Sequence, residues 1–453
     1  MKIVIVLFVI TACLACSHRP ETLPIEDSFI LNRVNIVDVK NQTILENRSL
    51  LIKQGRIAVV SREPMTPQAG VTKIIDGQNG YLTPGLIDMH VHMYEPAAYT
   101  LALSHGVTHV RVMNGVPQQL QWREQVERGQ LIGSSSSVSS PIISGYEDAY
   151  LHHTALTTEQ AVDAVKRYRA QGYDLIKAYG NLNKASLEAL LNTATEVGIP
   201  VAKHGPHGSG DMPVARLTGL QSLEHIEDIY QGPLNYEFAP ERLPAISKAL
   251  NETGVPITPT LAIFNQLTQL SLKKEAFVES LPTDYTSTII SLETKHNQLK
   301  RWLTASHKHA AHNQKTLNFL LEITQRFHRA GIPLLVGSDS GVLLSPHGIA
   351  THTEMQLLNK AGLSNFEVLA AATINPAKAL KLDDELGQIQ PGFKADFIYS
   401  HDNPIDGLEV LIAPDAVIKQ GEWYSKQQLI ELRKNAIANR SLWQEFTTLV
   451  EAL

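Results

Sequence analysis

The sequence predicts an α/β protein: a (β/α)8, TIM-like barrel with a small β-sandwich domain assembled from the N- and C-terminal segments. Three observations predict it. The chain has 453 residues, which calls for two domains or one large barrel with additions. Strand-like and helix-like runs alternate through its middle, as repeated βα units do. Near both ends the texture changes to short β-rich runs separated by polar turns.

In chain order, "MKIVIVLFVITACLAC" has one lysine and then an apolar run that is too short to span a bilayer as a helix. It reads as a bacterial lipoprotein signal over residues 1–15. Cys16 is the first choice for lipidation, and Cys13 competes. Residues 16–26 then form a tether. The expected location is the periplasmic side of a membrane, with the body in water and the lipidated cysteine as its sole contact with the bilayer; the alternative is a plain secretory signal with incidental cysteines and a secreted protein. The chain has only these two cysteines, so the folded part contains neither a disulfide nor a thiolate ligand.

Residues 27–83 hold "FILNRVNIVDV" and "RSLLIKQGRIAVVS", the first part of the β-sandwich. "KADFIYSHDNPI" and "PDAVIKQGEWY", within residues 381–425, supply the second. Residues 84–380 form the barrel. "HVRVM", "EQAVDAVKRYRAQG", "LIKAYG", "KASLEALLNTATEVG" and "PVAKHG" follow one another there as strand, helix, strand, helix, strand. Residues 234–315 exceed one βα unit. They contain a strand-like piece, "VPITPTLAIF", and then a polar helical insertion over the barrel mouth. Residues 426–453 read as one amphipathic C-terminal helix.

Composition narrows the function. Hydrophobic content of 43% with 19% charged residues suits a soluble globular enzyme. The net charge is −6 and there is no basic run, which argues against a nucleic-acid partner.

Barrel active sites lie at the C-terminal ends of the strands. The first strand ends in "TPGLIDMHVHM". His90 and His92 are two residues apart and share a face, a geometry that suits zinc or a similar ion. "DLIKAYG" places Lys177 on a strand covered on both sides, where a cation is costly and its pKa falls. A neutral amine there can take up carbon dioxide as a carbamate. His204 in "VAKHG", His225 in "LEHIED" and Asp339 in "VGSDSG" end later strands. Singly each is unremarkable, but together they put six metal-binding groups at one end of the barrel.

These motifs, with "LAAATINPAKALKLDDELGQIQPGFKADFIY", resemble the metal-dependent amidohydrolase superfamily, in its prolidase-like and imidazolonepropionase-like branch. The resemblance covers nearly all of the chain after the signal. It implies two divalent metal ions, zinc being the expected one, held by His90, His92, His204, His225, Asp339 and an N6-carboxylated Lys177. It implies cleavage of a C–N (amide) bond by a metal-bridging hydroxide, with Asp339 as proton shuttle and Lys177 and Asp339 as the catalytic pair. Lys177 tilts the reading towards two metals, because mononuclear deaminases of the superfamily lack it. A dipeptidase or prolidase-like activity on a small-molecule or dipeptide substrate is expected. The alternatives are a cyclic amide, lactone or phosphotriester hydrolase on the same metals, or a non-catalytic metal-dependent binding lipoprotein. Relatives often form homo-oligomers. The chain departs from the common pattern at Val112, where many relatives have aspartate.

The resemblance also suggests a substrate-facing histidine after the third strand, His152 or His153, with His153 preferred. Tyr230, beyond His225, is a candidate for a substrate carboxylate, and His352 and His347 for the pocket lining. His105 and His109 read as packing or hydrogen-bonded core residues. His307, His309 and His312 read as a solvated helix face.

Overall fold

The computed structural model describes residues 28–67, 71, 73–147, 149, 151–205 and 213–452. The expected signal and tether lie outside them. No helix among the described residues is long and apolar enough to cross a membrane.

Both ends of the chain meet in one eight-stranded sheet rather than the two sheets of a sandwich. Its order is Glu422–Ser425, Ala416–Lys419, Phe397–Ser400, Tyr81–Pro84, Ser28–Asp38, Thr43–Lys53 and Arg56–Ser61, with Lys73–Asp76 also pairing to Ser28–Asp38. The physical reason lies in the long strand Ser28–Asp38. Its first half pairs with Lys73–Asp76 and its second with Tyr81 and Leu82. Register shifts between Leu31, Val34 and Ile36 interrupt its ladder with Thr43–Lys53. Such irregularities bend a strand and add twist. The sheet curls until Ile57 N–H donates to Phe393 and Ala395 N–H to Gly55. Leu31, Val34, Leu50, Ile52, Leu82, Phe397 and Ile418 fill the resulting interior, so a single sheet covers its own apolar face.

The middle of the chain is built on parallel pairs. Leu86–Val91 pairs with Val107–Val112, which pairs with Ser135–Val138. A bridge links Ser139 to Leu175. Ile176–Ala178, Val201–His204, Ser222–Glu224 and Ile257–Thr258 then pair in turn. Bridges from Ile257 to Leu334 and from Ser340 to Val91 lead back to the first strand. Every residue of the first two strands is buried, as expected where helices cover a parallel sheet. A short arm, Ile142–Ser144 with His152–Thr154, lies beside Ala178.

Two elements differ from expectation. "VPITPTLAIF" is strand only at Ile257–Thr258; Leu261 already begins a helix to Lys273. Glu354, buried one helix away, accepts the Ala262 N–H at 2.6 Å and so caps that helix. The C-terminal segment is two helices, Lys426–Ala438 and Leu442–Ala452. The break holds Arg440, which donates twice to Glu95, at 2.6 and 2.7 Å. Arg440 also binds the Asp284 carbonyl, and Glu445 accepts the Ile289 N–H at 3.0 Å. The C-terminal helices thus tie the loop after His92 to the helical insertion.

Candidate metal centre

Strand ends and their backbone locks position the site. Asp88, fully buried, accepts the N–H groups of His90 and Ser338 at 3.1 and 2.9 Å and the Thr351 hydroxyl at 2.6 Å. One carboxylate therefore fixes the strand carrying His90 to the segment carrying Asp339. His225 and Asp339 both adopt left-handed backbone, with φ of 69° and 54°. Such conformations cost a non-glycine residue on the order of 1–3 kcal/mol and cluster at functional sites.

The side chains converge. His92 Nε2 lies 2.9 Å from Asp339 Oδ1, His90 Nε2 lies 3.7 Å from the same oxygen, and His225 Nδ1 lies 3.9 Å from Asp339 Oδ2. The His90 and His225 rings are 4.7 Å apart, and those of His204 and His225 are 4.3 Å apart. His90, His225 and Asp339 each bring a donor atom within 4.8 Å of the other two. The structure brings all four predicted histidines and Asp339 into one cluster. Lys177 is close enough for its charge to act on His90, His204 and His225.

Neighbouring groups leave ring nitrogens available. A carboxylate only accepts, so His90 donates from Nδ1 to Glu224 at 2.8 Å and keeps Nε2 as a lone-pair donor. His225 Nδ1 is bonded to the Thr260 hydroxyl at 2.7 Å. His204 Nε2 lies 3.5 Å from Asp228, and its buried Nδ1 has no hydrogen-bond partner among the described residues. Glu224 is itself held by Arg111, which donates to it at 2.6 Å and also to Met89, Gln221 and Ser222.

Electrostatics favours neutral imidazoles. Burial lowers His90 to about 4, and the Lys177 charge adds to this. Burial, then neighbouring His225 and Lys177, puts His204 well below the usual range; burial and His90 do the same to His225. Burial would raise the Asp339 carboxyl, but His90, His92 and His225 hold it well below the usual carboxylate range. Burial pulls Lys177 down to about 8. Lys177 Nζ is buried with no hydrogen-bond partner among the described residues, as is His204 Nδ1. Orphaned buried atoms are costly, and here they are metal-donor types around one point. The donor set fits divalent ions.

The other candidates separate. His153 pairs with the Tyr168 hydroxyl at 2.9 Å, away from the cluster. His152 instead lies between Tyr146 and Tyr179, and Tyr179 packs 4.2 Å from His204. Neighbours on the three-residue strand His152–Thr154 face opposite ways, so the preference for His153 is corrected to His152. Tyr230 is buried in a ring cluster with Tyr236, Phe238 and Phe319, which makes it a packing residue. His352 is buried with Nε2 on the His105 carbonyl at 2.8 Å, so it ties two elements together instead of lining the mouth. His347 binds the Ser340 hydroxyl at 3.0 Å, beside the Asp339 turn. His105 uses both ring nitrogens, on Ile412 and Tyr285, and His109 binds Ser137. His307 and His312 are exposed and His309 half-buried. Val112 lies in the apolar core.

Sequence reasoning missed Glu224, Arg111, Asp88 and Asp228. A signal existed for the first pair: "VRVM" and "LEH" put opposite charges inside strands covered on both faces, where charges survive only if paired.

The family model described as "Amidohydrolase family" matches residues 81–424. An imidazolonepropionase of Pseudoalteromonas atlantica is 25% identical over 401 residues, covering 81% of this chain and 91% of that protein. Among solved structures, a bottromycin amidohydrolase superposes with a TM-score of 0.75 at 22% identity, covering 91% of this chain and 90% of that one. A Xaa-Pro dipeptidase with bound methionine in its active site gives 0.67 at 18% identity, covering 88% and 100%. The chain belongs to the amidohydrolase family. It is a metal-dependent hydrolase acting on carbon–nitrogen bonds.

Proposed function

We propose that this protein is a dinuclear, dipeptidase or prolidase-like hydrolase of an amide bond, working at the mouth of a closed (β/α)8 barrel. The observation that carries it is the Lys177 amine, buried without a partner beside four histidines and Asp339. A permanently unpaired ammonium there is unfavourable. A carbamate on the same nitrogen is an anion with two oxygens, suited to sit between two cations. His90, His92, His204, His225, Asp339 and carboxylated Lys177 would hold the pair, with zinc the expected element. When bound, the ions supply Lewis-acid polarisation of a carbonyl and lower the pKa of a water to roughly 7.

The protein's own groups do the rest. Asp339, 2.9 Å from His92, is an ionised carboxylate at neutral pH. It takes the proton of the attacking water and delivers it to the departing nitrogen. His90 is kept in one tautomer by Glu224, so its orientation does not change during turnover. The ring wall of Tyr146, His152 and Tyr179 flanks His204 and limits how the substrate enters.

The test is metal content per chain, with bicarbonate present, for the parent and Lys177→Ala, alongside hydrolysis of Xaa-Pro dipeptides. About two metals in the parent, fewer in the variant, and turnover only in the parent are expected. About one metal in both removes the carbamate and the dinuclear reading.

A further inference from the structure

Thr260 stands at the N-terminus of the helix Leu261–Lys273, where a threonine hydroxyl ordinarily accepts from the first free N–H groups. Here it caps nothing. Its hydroxyl bonds Nδ1 of His225 at 2.7 Å instead. The backbone sharpens the point. Thr260 adopts φ 52° and ψ 40°, a left-handed geometry that suits glycine or asparagine and is an outlier for a β-branched side chain. The side chain therefore supplies something that glycine lacks, and the hydroxyl on His225 is what it supplies. The backbone already brings the two segments together, since His225 N–H donates to the Thr258 carbonyl at 2.8 Å.

The capping role passes to Glu354. It lies on the helix Ile349–Lys360, is fully buried, and accepts the Ala262 N–H at 2.6 Å. Three residues earlier, on the same face of that helix, Thr351 donates to Asp88 at 2.6 Å. Asp88 in turn accepts the N–H groups of His90 and Ser338. One buried helix face thus reaches both halves of the cluster. Thr351 reaches the strand of His90 and the segment of Asp339. Glu354 reaches the turn that carries Thr260 and, through it, His225.

We infer that Thr260 is a positioning residue for His225, and that Glu354 frees it for this by capping the helix in its place. With Nδ1–H donated to the Thr260 oxygen, His225 keeps Nε2 as a lone-pair donor. Without Glu354, the first helical turn would recruit the nearest hydroxyl, that of Thr260, and His225 would lose its anchor. Neither residue touches the substrate. The inference rests on His225 as a metal ligand and is independent of which amide is cleaved.

The test is metal affinity by competitive chelator titration of the full chain, with helix content and melting temperature measured alongside. Thr260→Val keeps the branched shape and removes the hydroxyl. It is expected to weaken metal binding by roughly 10- to 100-fold at parental helix content, the usual effect of losing such a partner. Thr260→Ser keeps the hydroxyl and should stay near the parent. Glu354→Leu removes the cap and should weaken binding as Thr260→Val does, whereas Glu354→Gln keeps an acceptor and should not. Both residues act on His225 by one route, so the double variant of Thr260→Val and Glu354→Leu should lose no more than either alone. The two Thr260 variants decide the matter by themselves where Glu354→Leu does not fold. Parental affinity in Thr260→Val overturns the inference. Equal weakening in Thr260→Val and Thr260→Ser also overturns it, because backbone and packing would then explain both. Losses that add in the double variant overturn the link through Glu354. A parent that binds no metal overturns the metal centre itself along with the inference.

Discussion

Two buried lysines, in two regions of the molecule, have opposite surroundings. Lys419, at the seam between the curled sheet and the parallel strands, has every reason to be structural. Its Nζ donates to Asp396 at 2.6 Å and to Ser135 at 2.8 Å, and the other Asp396 oxygen accepts the Gln420 N–H at 2.6 Å. Lys177, at the strand ends, is as deeply buried, but its Nζ has no hydrogen-bond partner among the described residues. A satisfied buried charge is part of the fold. An unsatisfied one marks a place where the fold gives up stability for something that binds later.

Substitution breaks the comparison most directly. Removing one partner of a buried ion pair costs about 3–5 kcal/mol, because the other charge is stranded. Lys419→Ala should therefore lose stability of that order in denaturant titration, with activity per folded molecule unchanged. Lys177→Met, measured without metal, should leave the midpoint where it is or raise it, since it deletes a charge that burial already disfavours. Equal losses in both variants would mean that Lys177 has structural partners after all.

A finer contrast lies within the site. Glu224 touches no expected metal position, yet it orients His90 and is oriented by Arg111. Partners of this kind typically matter by about 10–100-fold in metal affinity or activity. Glu224→Gln should weaken metal binding by that factor in a competitive chelator titration, while the far-UV spectrum stays parental. An unchanged affinity would make the Glu224–Arg111 pair a packing device only.

The cluster of side chains at the strand ends was far more legible than its support. His90, His92, Lys177, His204, His225 and Asp339 could be found because each ends a strand-like run, and strand ends converge whatever the rest of the chain does. The single curled sheet was not legible. It depends on bulges at Leu31 to Ile36, which arise from pairing with two distant strands at once. His152 and His153 were confused because a doublet carries no phase; only the register of its short strand decides which imidazole faces Tyr179. Tyr230 and His352 were misjudged because proximity in sequence to His225 and Asp339 says nothing about which way a loop or helix residue turns. The break in the C-terminal helix is set by Arg440 reaching Glu95, 345 residues away.

The last effect expected is one of pH, and it belongs to Glu354, a buried ionisable group that is half satisfied. One oxygen caps the helix that starts at Leu261, and the other has no hydrogen-bond partner among the described residues. Burial pushes its carboxyl from 4.5 up to about 8. Between these values the unfolded chain has released the proton while the folded protein keeps it. The folded state then binds more protons, so stability falls as pH rises. The contribution is fully present below about 4.5 and lost on passing through about 8. Glu354→Gln keeps an oxygen for the Ala262 N–H and cannot ionise. Melting temperatures of the two proteins, taken from pH 5 to 8, should diverge, with the parent declining more steeply by the equivalent of up to one proton. Parallel curves would show that Glu354 is ionised in the folded protein, and that the helix cap is a full charge.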